Sequence, residues 1–249
     1  MIGRQVPARV LLLLAIGWNR GAVAYRPFNG TDAAVAEPGV VELELGPIQY
    51  FELGQTPILF SPDMVLNYGI GERWEHVLQG RLSHELLPDS QGPNLVDNGV
   101  FLKGILREGS LQDKSGPSIA TEFGLLLPST RDEPGTGASL VFIVSQRWQA
   151  LTVHLSAEVA MTRRQLPDTA FSVILEGPYS WPARPAAEFF HEREYGGSEI
   201  GSGLVAAIWQ VNDNLAVDLG LRGGWVDGVA FKEIRAGVTI GFGVFGARR

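Results

Sequence analysis

Polar side chains of several kinds recur at alternate positions along this sequence, with apolar side chains between them. In LTVHLSAEVAM (151–161), a base, a hydroxyl and an acid follow one another at His154, Ser156 and Glu158. A catalytic triad needs hydrogen bonds of about 2.6–3.2 Å. Side chains two residues apart on a strand start about 6.5–7 Å apart. The spacing therefore argues against a triad, and we predict no enzymatic activity.

The sequence lacks the usual signals of a metal site or a cofactor site. The four histidines, His76, His84, His154 and His191, are scattered without a metal-binding spacing, and the chain contains no cysteine. The glycine-rich pieces GSGL and GIGERW lack the lysine of a phosphate-binding loop. We therefore expect neither a metal nor a cofactor.

The alternation itself predicts β-strands, because side chains on a strand repeat with period two. In IRAGVTIGFGVF (234–245), bulky apolar groups occupy one face, while Arg235, Thr239 and glycines occupy the other. Counted along the chain, such stretches number about twelve. The polar faces supply candidates for a barrel interior, and one slip of register would invert a strand. These candidates are Glu42, Glu44, Asn67, Glu75, Arg81, Lys103, Arg107, Glu122, His154, Glu158, Glu176, Asp218, Arg222 and Arg235.

Two all-β architectures fit this pattern. In a soluble sandwich or lipocalin-like barrel the apolar face points inward, whereas in an outer-membrane barrel it meets lipid. Strong strands of about 10–12 residues match the length that crosses a bilayer. Glycine-rich polar faces, aromatic residues near strand ends and links that alternate between short and long also favour lipid. We predict a transmembrane antiparallel β-barrel of about 12 strands. The aromatic residues are Tyr68, Trp74, Trp148, Tyr179, Trp181, Trp209, Trp225 and Phe245.

The N-terminus predicts export. Arg4 and Arg9 precede a short apolar run at 10–18, and the small residues 22–24 follow, which is the pattern of a signal peptide. We expect residues 1–24 to be this peptide and residues 25–249 to form one barrel domain. Export of a barrel implies the outer membrane of a Gram-negative bacterium, with lipid and the barrel-assembly machinery as partners. A net charge of −7 argues against a nucleic-acid partner.

Several pieces, taken in order, resemble a family of outer-membrane transport proteins named for the meta-cleavage pathway of phenol degradation. The pieces are RPFNGTDAAVAEPGVVELELG, LNYGIGERWEH, NGVFLKGILRE, SIATEFGLLLPS and NDNLAVDLGLRGGW. The resemblance spans most of the chain after residue 24. It implies an outer-membrane barrel that moves small, hydrophobic or aromatic molecules.

Two functions remain open at this stage. The interior charges suit a polar pathway for small-molecule solutes, and they equally suit a salt-bridge network that fills a non-transporting, structural or surface-interaction barrel. The segment FFHERE (189–194) carries charge on both predicted faces. It suits a strand that rises past the bilayer, or a binding site at the rim.

Overall fold

The computed structural model describes residues 26–88 and 90–244. The predicted signal peptide and Phe245 lie outside these described residues. Within them, one short 3₁₀ helix spans Ser110–Gln112, and no helix is long and apolar enough to cross a membrane.

Twelve strands make up nearly all of the regular structure. They are β1 (Val40–Leu53), β2 (Thr56–Gly71), β3 (Trp74–Glu85), β4 (Asn94–Arg107), β5 (Ser118–Leu126), β6 (Gly137–Arg147), β7 (Thr152–Met161), β8 (Pro167–Glu176), β9 (Ala183–Glu194), β10 (Glu199–Asn212), β11 (Leu215–Val226) and β12 (Val229–Gly243).

The strands form one closed antiparallel barrel, so the predicted fold class is confirmed. Each strand pairs with its neighbours in sequence, and β1 closes the barrel by pairing with both β2 and β12. Val41, for example, lies opposite Tyr68 on one side and Phe242 on the other. Closure removes every sheet edge. Because the strand number is even, β1 begins and β12 ends at the same end, which we call the terminal end; the opposite one is the distal end.

The barrel is apolar outside and polar inside. Leu219 and Val205 are 57% and 62% exposed on the outer surface, whereas Glu75, Arg235 and Thr239 are buried. This is the reverse of a soluble protein, in which apolar side chains fill the core. Exposed aromatic side chains lie at or near the terminal-end turns. They are Trp74, Trp148, Tyr179, Trp181 and Trp209. The exposed Trp225 lies towards the distal end, so aromatic residues flank the apolar band on both sides.

The links between strands depart from the predicted alternation. The sequence pattern predicts longer links at about residues 54–63 and 227–230, but two-residue turns occupy these places, at 54–55 and 227–228. The strand β2 continues through Pro57 and Pro62, where its pairing with β3 is irregular between Phe60 and Asp63. Proline has no backbone N–H to donate to a neighbouring strand, so Pro57 and Pro62 argue against a strand when the sequence is read alone.

Candidate functional site

A cavity of about 1560 Å³ lies in the interior of the barrel. Its lining includes Glu72 and Lys114 at the terminal end, and Ser198 and Asp227 at the distal end. The described residues therefore enclose a space that reaches both ends of the barrel.

Residues 26–38, which precede β1, lie inside the barrel, and we call them the collar. The backbone N–H of Ala36 donates to Glu75 Oε2 on β3 at 2.6 Å. The N–H of Ala33 donates to Ser145 Oγ on β6 at 3.0 Å. Ala33 is fully buried in an apolar cluster of the inner wall.

The next contacts of the collar lie on β9. Glu188 accepts the backbone N–H of Asn29 at 3.0 Å and that of Gly30 at 2.7 Å. Ser172 on β8 donates its hydroxyl to the same carboxylate at 2.9 Å. A side chain at Gly30 would overlap the Ser172 hydroxyl, so the collar approaches the wall here more closely than another residue allows.

The first residues of the collar reach the strands beside the closure. Arg26 pairs with Asp63 on β2 at 2.9 Å and lies 3.7 Å from Asp218 on β11. Arg235 on β12 donates to the carbonyl of Pro27 at 2.7 Å. Read backwards from β1, the collar thus meets β3, β6, β9, β12 and β2 in turn. It follows the inner wall around the lumen, narrowing the cavity while the cavity lining still reaches both ends.

A buried lysine forms ion pairs with acids in the terminal half of the barrel. Lys103 Nζ lies 3.3 Å from Asp32 of the collar and 3.5 Å from Glu75. Nearby, Asn67 donates its side-chain amide to Glu44 at 3.0 Å, and both residues are buried. The collar therefore supplies a second carboxylate to Lys103, beside the one that Glu75 supplies from β3.

His154 has partners on neighbouring strands rather than on its own. Its Nδ1 lies 2.8 Å from Ser145 Oγ, and its Nε2 lies 3.3 Å from Glu176. Glu176 also accepts from Arg184 at 2.6 Å. A serine–histidine–carboxylate series suits nucleophilic catalysis only when a substrate can reach the serine. Here Ser145 is fully buried and its Oγ holds the Ala33 amide, so the series anchors the collar.

Arginines on the closing side of the barrel are paired with acids. Glu233 lies 3.4 Å from Arg222 and 2.9 Å from Arg235, and all three are buried. Arg81 pairs with Asp97 at 2.5 Å. Desolvated charges need such partners, because an unpaired buried charge costs several kcal/mol.

The remaining acids line the open part of the cavity. Of the predicted residues, Glu42, Glu122 and Glu158 lie on its wall. Asp168 and Glu192, which the alternation analysis did not select, lie there too. Among the described residues, metal-ligating side chains form no group able to hold a metal ion.

Arg107 departs from its predicted position inside the lumen. It is exposed at the end of β4 and donates to the carbonyls of Ser115 and Pro117 in the following link. The register of β4 against β5 shifts between Ile105 and Arg107, which breaks the alternation before the strand ends. A bulge of this kind re-aims a side chain and is invisible to a strict period of two.

Sequence reasoning missed other interior residues for different reasons. Glu233 shares its strand face with the predicted Arg235, so the same alternation could have found it. Glu188 lies on β9, directly before the segment 189–194 with charge on both predicted faces. Arg26 and Asp63 lie in stretches whose sequence shows no clear strand pattern, and only the folded chain brings them together.

The segment 189–194 forms the distal part of β9, and its charged side chains alternate between the two faces of the strand. Glu192 lines the cavity and Glu194 is buried on the same face. His191 and Arg193 alternate with them, and His191 Nε2 lies 3.0 Å from Glu199. His191 and Arg193, which lie away from the cavity, are therefore close to the distal end of β9, just before the link to β10.

The fold is similar to those of several solved outer-membrane proteins. An outer membrane channel from Pseudomonas putida F1 aligns with a TM-score of 0.62 and 9% identity, over 84% of this chain and 97% of that one. The KdgM porin in complex with disordered oligogalacturonate gives 0.56 and 9%, over 80% and 98%. The NanC porin gives 0.57 and 6%, also over 80% and 98%. No protein-family model and no curated protein matches the chain by sequence.

Proposed function

We propose that this protein is a channel of the bacterial outer membrane that passes small molecules between the outside and the periplasm. The observation that carries the proposal is the cavity whose lining reaches both ends of a closed barrel. The apolar outer surface with its aromatic borders suits a lipid bilayer. We place the terminal end, where β1 begins and β12 ends, at the periplasm and the distal end at the outside.

The solute class is a finer part of the proposal. The pieces of sequence that resemble transport proteins of the phenol pathway suggest aromatic molecules. Phenylalanine side chains in the cavity wall support this suggestion, since Phe60 lies under the Arg81 guanidinium at 4.0 Å and Phe190 and Phe231 flank Arg222. Flat aromatic solutes stack favourably on such surfaces.

Conductance across a planar lipid bilayer tests the channel. The purified protein is first shown to be folded by its heat-modifiable mobility on a gel. Discrete conductance steps are expected, and charge reversal at Arg222 or Arg235 should change ion selectivity. A folded barrel without steps, and without uptake of a radiolabelled monoaromatic solute into vesicles, would contradict the proposal.

That negative result would favour the second candidate, a structural barrel that transports nothing. The collar supports this second candidate, because residues 26–38 occupy part of the lumen and are held there by ion pairs and by hydrogen bonds from their backbone. A filled interior stiffens a small barrel without any passage of solute.

A further inference from the structure

The two sides of the lumen differ in how completely their charges are paired. On the side formed by β11, β12 and the first strands, each arginine has a carboxylate partner. Arg26 is shared between Asp63 and Asp218, and Glu233 is shared between Arg222 and Arg235. This side therefore presents little free positive charge to a solute.

The side formed by β7, β8 and β9 carries acids without such partners. Among the described residues, no basic group lies within ion-pair distance of Glu158, Asp168 or Glu192. Asp168 is only 6% exposed, yet its Oδ2 has no hydrogen-bond partner in the described structure. All three residues line the cavity. A buried carboxylate oxygen without a donor, on a residue that lines a cavity, would be stabilised by a donor or a cation beside it.

The acids continue from this side towards the terminal end. Glu192, Asp168 and Glu158 are close enough to interact electrostatically, and Glu158 interacts in the same way with Glu122. Glu122 in turn interacts with Glu75, and Glu75 with Glu42. We call these six residues the acidic track: Glu42, Glu75, Glu122, Glu158, Asp168 and Glu192. Lys103 lies within ion-pair distance of Glu75 in the track, and it also pairs with Asp32.

We propose that the acidic track makes the lumen selective for small cations, both inorganic monovalent ions and organic ammonium compounds. This inference rests on the proposed channel function and adds the charge of its solutes. Across the whole cavity lining, acidic side chains outnumber basic ones two to one. Rings and rows of carboxylates select cations in membrane channels, because the low-dielectric wall concentrates their field in the lumen. A passing cation also relieves the repulsion between neighbouring carboxylates.

The reversal potential of the open channel in a potassium chloride gradient tests the proposal. The expected permeability ratio of potassium to chloride is above one. Replacing Glu122, Glu158 or Glu192 by Gln should lower this ratio several-fold each, because one elementary charge at about 4–8 Å in water changes the local concentration of each ion by about two- to sixfold, in opposite directions for potassium and chloride. Glu85→Gln is the matched control, because it removes the same charge at an exposed position on β3 away from the cavity lining.

Organic solutes extend the test. In liposome swelling, lysine should enter faster than glutamate, which has a similar size and the opposite charge, and Glu158→Gln should narrow the difference. A conducting channel with a permeability ratio at or below one would overturn the acidic track while leaving the channel intact. An equal effect of Glu85→Gln would overturn it too, whereas a folded barrel without conductance steps and without uptake of the monoaromatic solute would contradict the proposed function itself.

Discussion

Replacing Glu188 by Ala should release the middle of the collar from the barrel wall. Glu188 is buried and accepts the backbone N–H groups of Asn29 and Gly30. Alanine removes both acceptor oxygens without touching the outer surface of β9. The barrel should therefore remain closed while residues 26–38 lose one of their fixed points.

The size of the effect follows from these two collar bonds. A hydrogen bond to a charged group contributes about 1.5–3 kcal/mol to stability. Two such bonds, to Asn29 and Gly30, favour the docked collar by about 3–6 kcal/mol. Each 1.4 kcal/mol is about a factor of ten, so the ratio of released to docked collar should rise by about 10²–10⁴. Glu188→Gln retains one acceptor oxygen without the charge and should have a smaller effect.

Hydrogen exchange and conductance report on this release in complementary ways. In Glu188→Ala, the amides of Gly30 and Ala33 should exchange faster, and the single-channel conductance should rise or become noisier as the lumen widens. Glu85→Ala, which removes an exposed carboxylate, should leave both unchanged. Unaltered exchange across the collar in a folded Glu188→Ala barrel would refute the assignment of Glu188 as an anchor.

Three other changes test the interior, the close approach of the collar and the lipid face. Lys103→Met leaves its carboxylate partners unpaired and should destabilise the protein by about 3–5 kcal/mol, measured as urea unfolding in lipid vesicles; an unchanged midpoint would contradict the buried ion pair. Gly30→Ala would collide with the Ser172 hydroxyl and should speed amide exchange in the collar, with an unchanged barrel midpoint; unaltered protection would count against the close approach. Leu219→Arg should cost about 2–4 kcal/mol at the bilayer centre, whereas Asp213→Arg in a terminal-end turn should cost little; equal costs would argue against a lipid-facing position.

The sequence could predict the barrel because its signal is local. A strand that separates two environments must alternate its side chains, so stretches such as 215–225 and 234–244 define their own two faces. The polar residues of those stretches, including Asp218, Arg222 and Arg235, point into the barrel for the same reason. The candidates on β3 and β5, such as Glu75 and Glu122, follow this rule as well.

Local alternation failed wherever the backbone itself departs from a regular strand. The bulge before Arg107 moved that side chain out of the lumen, and the prolines of β2 hid the distal half of the strand. Whether a bulge forms, or a strand continues through proline, depends on pairing with a neighbouring strand. A single segment of sequence does not contain that information.

The architecture, the apolar outer face and most of the polar inner face can be predicted from the sequence, because they follow from the period of a strand and the solvent on each side. The position of the collar and the pairing of the charges depend on the folded chain. Arg26 meets Asp218, and Gly30 meets Glu188, across long separations in the chain. Such contacts arise when closure of the barrel brings distant strands around one lumen, and the resulting imbalance between paired arginines and unpaired acids is a property of the whole ring.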